Sequence, residues 1–360
     1  MAPERERAHV LTLLKRHGRD ATSFQTLEPG FRYWFAGADA CVAYVETGSS
    51  WVAAGAPIAA PTRVAATAAA FVGAARAARR RAAFFATEPS FVADTPSLRA
   101  LAIGEQPVWE PAAWPDTLLR TASLRTQLRR ARAKGVSVRR VAIAELTRAS
   151  HDTRRQLEAL IVRWRTLHAL PPMAFVVQVH AFSNPGERLC FVAERESRIV
   201  GLLAAVPVYA RCGWLFENLI RDPAAPNGTN ELLFDAAMRT VAADGSDYAT
   251  LGLAPLAGAV PCWLRLARAA AACLYDFEGL AAFKAKLRPT TSAPVFLSYV
   301  PEYGALRSVL DALRAFAGGR LLSFGVEAMV RASRRREERA SLSPHGAIAV
   351  LSDSHSSPLQ

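Results

Sequence analysis

An acidic and a basic residue, Glu217 and Arg221, lie four positions apart in a short apolar segment. In an extended strand, residues at even spacing point to the same side of the sheet. A carboxylate and a guanidinium on one face could hold a ligand between them, or could form a surface ion pair that contributes little to stability. Spacing alone leaves both interpretations open.

A loop containing Pro226, Asn227 and Gly228 follows this segment, and a helix is predicted from Thr229 to Ala243. The backbone N–H groups in the first turn of a helix, together with the helix dipole, favour an anion such as a phosphate. Asn227 and Gly228 would let the loop approach such a ligand closely. The alternative is that Thr229 only caps the helix and Gly228 only makes the turn.

A further helix is predicted from Phe277 to Leu287, and Pro289 stops it. Lys284 and Lys286 lie near its end, where the helix dipole favours cations in any protein. The two lysines either cap this helix or contact an anionic substrate, and Lys284 is the better candidate for substrate contact.

The order and the amino-acid sequences of these segments resemble those of the catalytic domain of the phosphatidylglycerol lysyltransferases. The resemblance extends over about residues 24–300. It is carried by Glu217-Asn218-Leu219-Ile220-Arg221-Asp222, Pro226-Asn227-Gly228-Thr229-Asn230-Glu231, Leu251-Gly252-Leu253-Ala254-Pro255-Leu256, Tyr275-Asp276-Phe277-Glu278-Gly279-Leu280, Phe283-Lys284-Ala285-Lys286, Pro29-Gly30-Phe31 and Gly55-Ala56-Pro57-Ile58. In the last of these the family has Gly-Asp-Pro.

This resemblance implies transfer of an aminoacyl group from a charged tRNA to the hydroxyl of a lipid, phosphatidylglycerol. Aminoacyl-tRNA would be the co-substrate, and neither a metal nor a resident cofactor would be needed. The implied catalytic residues are Glu217, Arg221 and Lys284. Glu217 would be the general base or would bind the substrate amine, and Arg221 and Lys284 would stabilise a phosphate or developing negative charge. The implied substrate-binding residues are Asn227, Gly228, Thr229, Glu231, Asp276 and Lys286. The full-length lysyltransferases also have a membrane-spanning half, and we expect a stand-alone form without it.

Eight basic residues and no acidic residue lie between Asp116 and Glu145. A helix is predicted over 117–134 with Gly135 at its end. A solvated helix face is the usual interpretation of such a charge run, whereas contacts with phosphates would give salt-dependent RNA binding. We predict a tRNA-binding surface formed by Arg125, Arg129, Arg130, Arg132 and Lys134.

The order of predicted elements indicates an α/β (α+β) protein. In each half, two or three strands are followed by a helix and another strand, among them a helix near 96–102 in the first half. This order is typical of tandem N-acetyltransferase-like (GNAT) folds, with central mixed sheets flanked by helices. The predicted parts are an N-terminal domain (1–143), a helical connector (144–188), a C-terminal catalytic domain (189–300), a helical basic tail (301–340) and a disordered end (341–360).

Composition agrees with a globular protein, since 51% of the 360 residues are hydrophobic and 21% are charged. The net charge of +13 favours an anionic partner, either RNA or anionic phospholipid, although an Arg-rich genome would give the same excess. No signal peptide or membrane span is evident. We therefore expect a cytoplasmic protein, peripheral on the inner face of the membrane. The basic tail would bind that membrane or pack on the second domain.

Two other classes of function stay open at this stage. The first is an acyl-CoA-dependent N-acetyltransferase, although the pyrophosphate-binding signature of that class is missing. The second is a non-catalytic module that binds RNA or a membrane surface. The five cysteines form no Cys-x-x-Cys pair, so neither a disulfide framework nor a zinc site is expected.

Overall fold

The computed structural model describes residues 3–166, 175–177, 179–272, 275–321 and 323–324. The arginine-rich end of the predicted tail and the predicted disordered segment lie outside these residues. The described α-helices are α1 (Pro3–His17), α2 (Val64–Ala77), α3 (Pro89–Asp94), α4 (Trp114–Arg120), α5 (Ala122–Ala133), α6 (Ile143–Thr147), α7 (Asp152–Thr166), α8 (Thr229–Ala243), α9 (Cys262–Ala271), α10 (Phe277–Lys286) and α11 (Ala305–Phe316).

One mixed sheet runs through the described part of the chain in the order β1-β2-β3-β4-β12-β5-β10-β9-β8-β7-β6, with β11 paired to β5. Its strands are β1 (Arg32–Phe35), β2 (Cys41–Glu46), β3 (Ser50–Ala54), β4 (Arg81–Thr87), β5 (Arg99–Trp109), β6 (Ser137–Arg140), β7 (Leu189–Arg195), β8 (Arg198–Val208), β9 (Gly213–Arg221), β10 (Tyr248–Thr250), β11 (Ala254–Pro255) and β12 (Thr291–Tyr299).

Each half of this sheet contains a parallel pair joined by a helix. In the first half β3 and β4 are parallel and α2 connects them, and in the second half β9 and β10 are parallel and α8 connects them. A parallel pair needs a crossover of this kind, because its strands start at the same edge of the sheet. The repeated unit confirms the predicted α/β class with helices flanking a mixed sheet.

Two strands pair across the division that the sequence suggested. β6 lies within 1–143 but pairs with β7, at the far edge of the second half. β12 lies within 189–300 but is inserted between β4 and β5 of the first half. Each segment thus supplies a strand to the other side of the sheet, so the two halves share one continuous sheet.

Two local predictions are wrong in detail. The segment near 96–102 is not a helix, because β5 begins at Arg99 and pairs along its length with β12. The predicted basic helix over 117–134 is divided into α4 and α5 at Thr121, whose backbone is not helical (φ −116°, ψ 87°). The Arg125 guanidinium donates a hydrogen bond to the carbonyl oxygen of Leu118 at 2.7 Å and so caps α4.

Helix α8 covers one face of β7, β8 and β9, and α5 packs on α8. Leu128 and Ala131 of α5 share a buried core with Leu233 and Phe234 of α8. The Phe234 ring also contacts that of Phe216 in β9, with 5.5 Å between the ring centroids. This packing fixes the start of α8 between the end of β9 and the basic helix.

Candidate active site

Strand β9 contains a β-bulge at Glu217. Ala204 of β8 lies opposite Asn218 and Ala205 lies opposite Phe216, so Glu217 is the extra residue. A bulge shifts the alternation of side chains by one position. The prediction that Glu217 and Arg221 share a face is therefore wrong, and the two side chains have separate partners.

Glu217 forms a buried ion pair with Arg188, whose side chain is fully buried. Arg188 also pairs with Glu28 and donates from Nε to the carbonyl oxygen of Ser183 at 2.6 Å. Gln25 Nε2 donates to Glu217 Oε2 at 3.3 Å. Burial raises the pKa of Glu217, while Arg188 opposes this shift.

This network joins the first half of the chain to the bulge in the second half. Sequence reasoning identified Glu217 but missed Arg188 and Glu28, because the three residues lie far apart in the chain. Glu28 directly precedes the Pro29-Gly30-Phe31 motif, which is the one local signal that could have pointed to it. In this arrangement Glu217 is paired with Arg188. Its role as a base stays a prediction.

Arg221 lies at the end of β9 and donates a hydrogen bond to Asn227 Oδ1 at 3.2 Å. This contact holds the side of the loop that leads into α8. Gly228 occupies the N-cap position with φ +95° and has no side chain that could cap the helix. Asn230 Oδ1 is buried without a hydrogen-bond partner in the described part of the chain. The start of α8 thus retains polar groups that a ligand could use.

Gly228 also brings this loop against the basic helix. A Cβ at Gly228 would lie 2.4 Å from the carbonyl oxygen of Gln127 and 3.2 Å from Cβ of Ala131, both in α5. Thr229 is buried, and its hydroxyl donates to the carbonyl oxygen of Pro226 at 2.7 Å. The structure therefore brings the two predicted surfaces, the α8 loop and α5, into direct contact.

Lys286 forms an ion pair with Glu231, which is buried in the first turn of α8. The pair links α10 to the start of α8. Asp276 accepts a hydrogen bond from the backbone N–H of Gly279 at 2.7 Å, which makes it the N-cap of α10. All three residues have partners within the chain here, and ligand contact by them stays a prediction.

Lys284 is buried and donates three hydrogen bonds of 2.8–2.9 Å to the carbonyl oxygens of Leu251, Gly252 and Leu253. Burial lowers the pKa of its amine to about 7. The pairing between β9 and β10 stops at Leu215 and Thr250. Lys284 binds the carbonyl groups of the three residues that follow Thr250. It therefore stabilises the segment in which the chain leaves β9.

The basic residues of α5 divide into two groups. Arg125 caps α4, and Arg132 pairs with the buried Asp235 at 3.1 Å. Within the described residues, Arg129, Arg130 and Lys134 are exposed and have no ion-pair partner. These three cations are available to an anionic partner, whereas Arg125 and Arg132 also have structural contacts.

A second buried acidic cluster lies at the Gly55-Ala56-Pro57 motif. The carboxylate of Asp20 accepts a hydrogen bond from the backbone N–H of Ala56 at 2.6 Å. Glu88 pairs with Arg211, and burial raises the pKa of Glu88 to about 7. Burial likewise raises the pKa of Asp20. The sequence motif pointed to this place without indicating either acid.

Two surface depressions of about 390 and 450 Å³ contain none of the predicted site residues, and the smaller one reaches Arg188. Within the described ranges no group of three His, Cys, Asp or Glu side chains is placed to hold a metal ion.

Burial raises the pKa of the Cys41 and Cys190 thiols to about 12.

Residues 11–299 match the sequence model of the phosphatidylglycerol lysyltransferase C-terminal family, and the chain belongs to that family. Membership of this family indicates a transferase. The mixed sheet, with α8 and its loop beside β9, is the part of the fold that carries the candidate site. The search of curated proteins found no match.

Two solved structures share the fold. One is the C-terminal domain of a protein assigned as a lysylphosphatidylglycerol synthetase from Agrobacterium fabrum, with a TM-score of 0.74, 23% identity, and 88% of this chain and 99% of that chain covered. The other is L-PGS from Bacillus licheniformis, with a TM-score of 0.72, 19% identity, and 87% and 96% of the two chains covered. Among the described helices, none is both long and apolar enough to cross a bilayer.

Proposed function

We propose that this protein transfers an aminoacyl group from aminoacyl-tRNA to a hydroxyl of phosphatidylglycerol. Membership of the phosphatidylglycerol lysyltransferase C-terminal family supports the class of reaction and the lipid acceptor. The observation that carries the tRNA assignment is the contact of the Gly228 loop with α5. This contact joins the start of α8 to the helix that carries Arg129, Arg130 and Lys134, which are exposed and form no ion pair among the described residues.

The reaction exchanges one ester for another. The acceptor oxygen attacks the aminoacyl carbonyl carbon, the bond to the tRNA ribose breaks, and the proton of the acceptor hydroxyl ends on the ribose oxygen. The donor is already activated, so the protein must position two substrates and move one proton. We propose aminoacyl-tRNA as co-substrate and no resident cofactor.

Arg221 and the start of α8 are proposed to bind a phosphate or the negative charge that develops on the attacked carbonyl. Glu217 is proposed as the base or as the residue that binds the aminoacyl ammonium group. Arg188 holds its Oε1, so this role falls to Oε2, which accepts a hydrogen bond from Gln25 at 3.3 Å. Lys284 is proposed to contribute by holding residues 251–253 away from β9, since all three of its N–H bonds point at carbonyl groups.

Both substrates would meet at the cytoplasmic face of the membrane, where tRNA is available and the lipid headgroup is accessible. We therefore propose a peripheral location on that face.

The test is a reconstitution with the purified full chain. Total tRNA charged with one labelled amino acid at a time is mixed with phosphatidylglycerol vesicles, and lipids are separated by thin-layer chromatography. Labelled lipid from at least one amino acid, and none after ribonuclease treatment of the tRNA, is the expected result. Label transfer from acetyl-CoA with none from any aminoacyl-tRNA would overturn the proposal.

A further inference from the structure

Helix α11 presents leucine side chains to solvent. Leu306, Leu310 and Leu313 are 65%, 38% and 45% exposed. Their spacing of four and three residues places them on one face of the helix. Single exposed leucines are ordinary, but three in line on a helix of twelve residues form a continuous apolar stripe.

The opposite face of α11 fixes this orientation. Asp311 is 2% exposed and accepts two hydrogen bonds of 2.7 Å from Arg81 of β4. Ala312 and Ala315 on the same side pack in the core that contains Phe85. Rotating α11 to cover the leucines would separate a buried ion pair and expose this core. The contacts on the opposite face therefore keep the three leucines exposed.

The charges beside the stripe are suited to an anionic surface. Asp311 is the single acidic residue in the sequence of α11, and it pairs both with Arg81 and, at 3.3 Å, with Arg314 of the same helix. Arg307 is exposed next to Leu306, and Arg314 is partly exposed next to Leu313. The whole chain carries +13. An apolar face with flanking arginines is typical of helices that lie in the interface of anionic bilayers.

We infer that the Leu306, Leu310 and Leu313 face of α11 docks on an anionic lipid bilayer. The inference deepens the proposed function and rests on it for the choice of a phosphatidylglycerol surface. Docking would insert the three leucines among the acyl chains near the headgroups, while Arg307, which has no ion-pair partner among the described residues, contacts lipid phosphates. The helix would then hold the enzyme on the membrane that contains its acceptor.

The experiment measures flotation of the full chain with vesicles of phosphatidylcholine alone or mixed with phosphatidylglycerol, in the absence of tRNA. The test variant combines Leu306→Ser, Leu310→Ser and Leu313→Ser. Its matched control combines Leu119→Ser, Ile143→Ser and Val162→Ser, three apolar residues that are 52–72% exposed in other helices. Thermal unfolding midpoints near that of the unmodified protein establish that both variants are folded.

The unmodified chain and the control are expected to float with the mixed vesicles, and the α11 variant is expected to bind at least tenfold more weakly. Absence of flotation by the unmodified chain, or equal loss in both variants, would overturn the inference. So would a dimer of the unmodified chain that the α11 substitutions dissociate without changing flotation, since the stripe would then join two copies. Because no tRNA is present, failed aminoacyl transfer with normal flotation would contradict only the proposed function.

Discussion

Gly228 lies directly against the backbone of Gln127, so that a Cβ at Gly228 would come within 2.4 Å of the Gln127 carbonyl oxygen. This close approach joins the loop before α8 to the basic helix α5. It is possible only because Gly228 has no Cβ.

Gly228→Ala should destabilise the protein and weaken transfer. Alanine at φ +95° is strained, and its Cβ would also overlap α5. Gly245→Ala is the matched control, because Gly245 has φ +74° but no atom within 4 Å of an added Cβ. We expect a loss in the free energy of unfolding of about 1–2 kcal/mol for the control and about 2–4 kcal/mol for Gly228→Ala. Equal losses in urea denaturation would show that the contact with α5 imposes no constraint.

Arg129→Glu, Arg130→Glu and Lys134→Glu together should weaken tRNA binding, because these cations have no partner among the described residues. The slope of log K against log salt should fall in magnitude by about 2 in filter-binding measurements. Arg99→Glu, Arg148→Glu and Arg265→Glu, at exposed arginines elsewhere, form the control. An unchanged slope in the first variant would remove α5 from the RNA site.

Arg188→Leu should cost more stability than Glu217→Gln. Removal of Arg188 leaves two buried carboxylates, Glu28 and Glu217, without their shared cation, which costs about 3–5 kcal/mol. Glu217→Gln leaves Arg188 paired with Glu28 and should cost about 1–3 kcal/mol. Urea denaturation measures both losses. A larger loss for Glu217→Gln would mean that Arg188 is not the centre of the network.

Lys284→Met should lower the free energy of unfolding by about 2–4 kcal/mol at pH 7, because three carbonyl groups lose their donor. The loss should also depend on pH. Burial lowers the pKa of Lys284 from 10.5 to about 7 in the folded protein. Between these values the unfolded chain retains a proton that the folded chain has released, so the unfolded state is favoured as pH falls.

The stability of the unmodified protein relative to Lys284→Met should therefore rise from pH 7 to pH 10 and stay constant below pH 7. Urea denaturation of both proteins across this range provides the measurement. Parallel stability curves would show that Lys284 has the same pKa in the folded and unfolded states.

The sequence was sufficient for the elements that local patterns define. The predicted helix from Thr229 to Ala243 coincides with α8, and the predicted helix from Phe277 to Leu287 ends one residue beyond α10. Turn residues, apolar periodicity and helix-stopping prolines or glycines act over a few positions, so the chain itself displays them.

Relationships over long distances in the chain could not be predicted in this way. The insertion of β12 between β4 and β5 depends on pairing with strands about 200 residues earlier. The bulge at Glu217 is set by the register of β9 on β8, and it moves Arg221 away from the face of Glu217. Arg188 has no neighbouring residue that marks it as the partner of Glu28 and Glu217. Each of these features arises from tertiary packing, which a single sequence does not show.

The most direct test of the central claim is the rate of label transfer from aminoacyl-tRNA to phosphatidylglycerol by Arg221→Ala. Arg221 holds Asn227 beside the start of α8, and its loss should reduce the rate at least tenfold while the unfolding midpoint stays within a few degrees. Arg195→Ala removes an exposed arginine of strand β7 that pairs with the exposed Glu196, and it should leave the rate nearly unchanged. A normal rate in Arg221→Ala, with the unmodified chain active in the same assay, would contradict the assignment of the active site to the end of β9 and the start of α8.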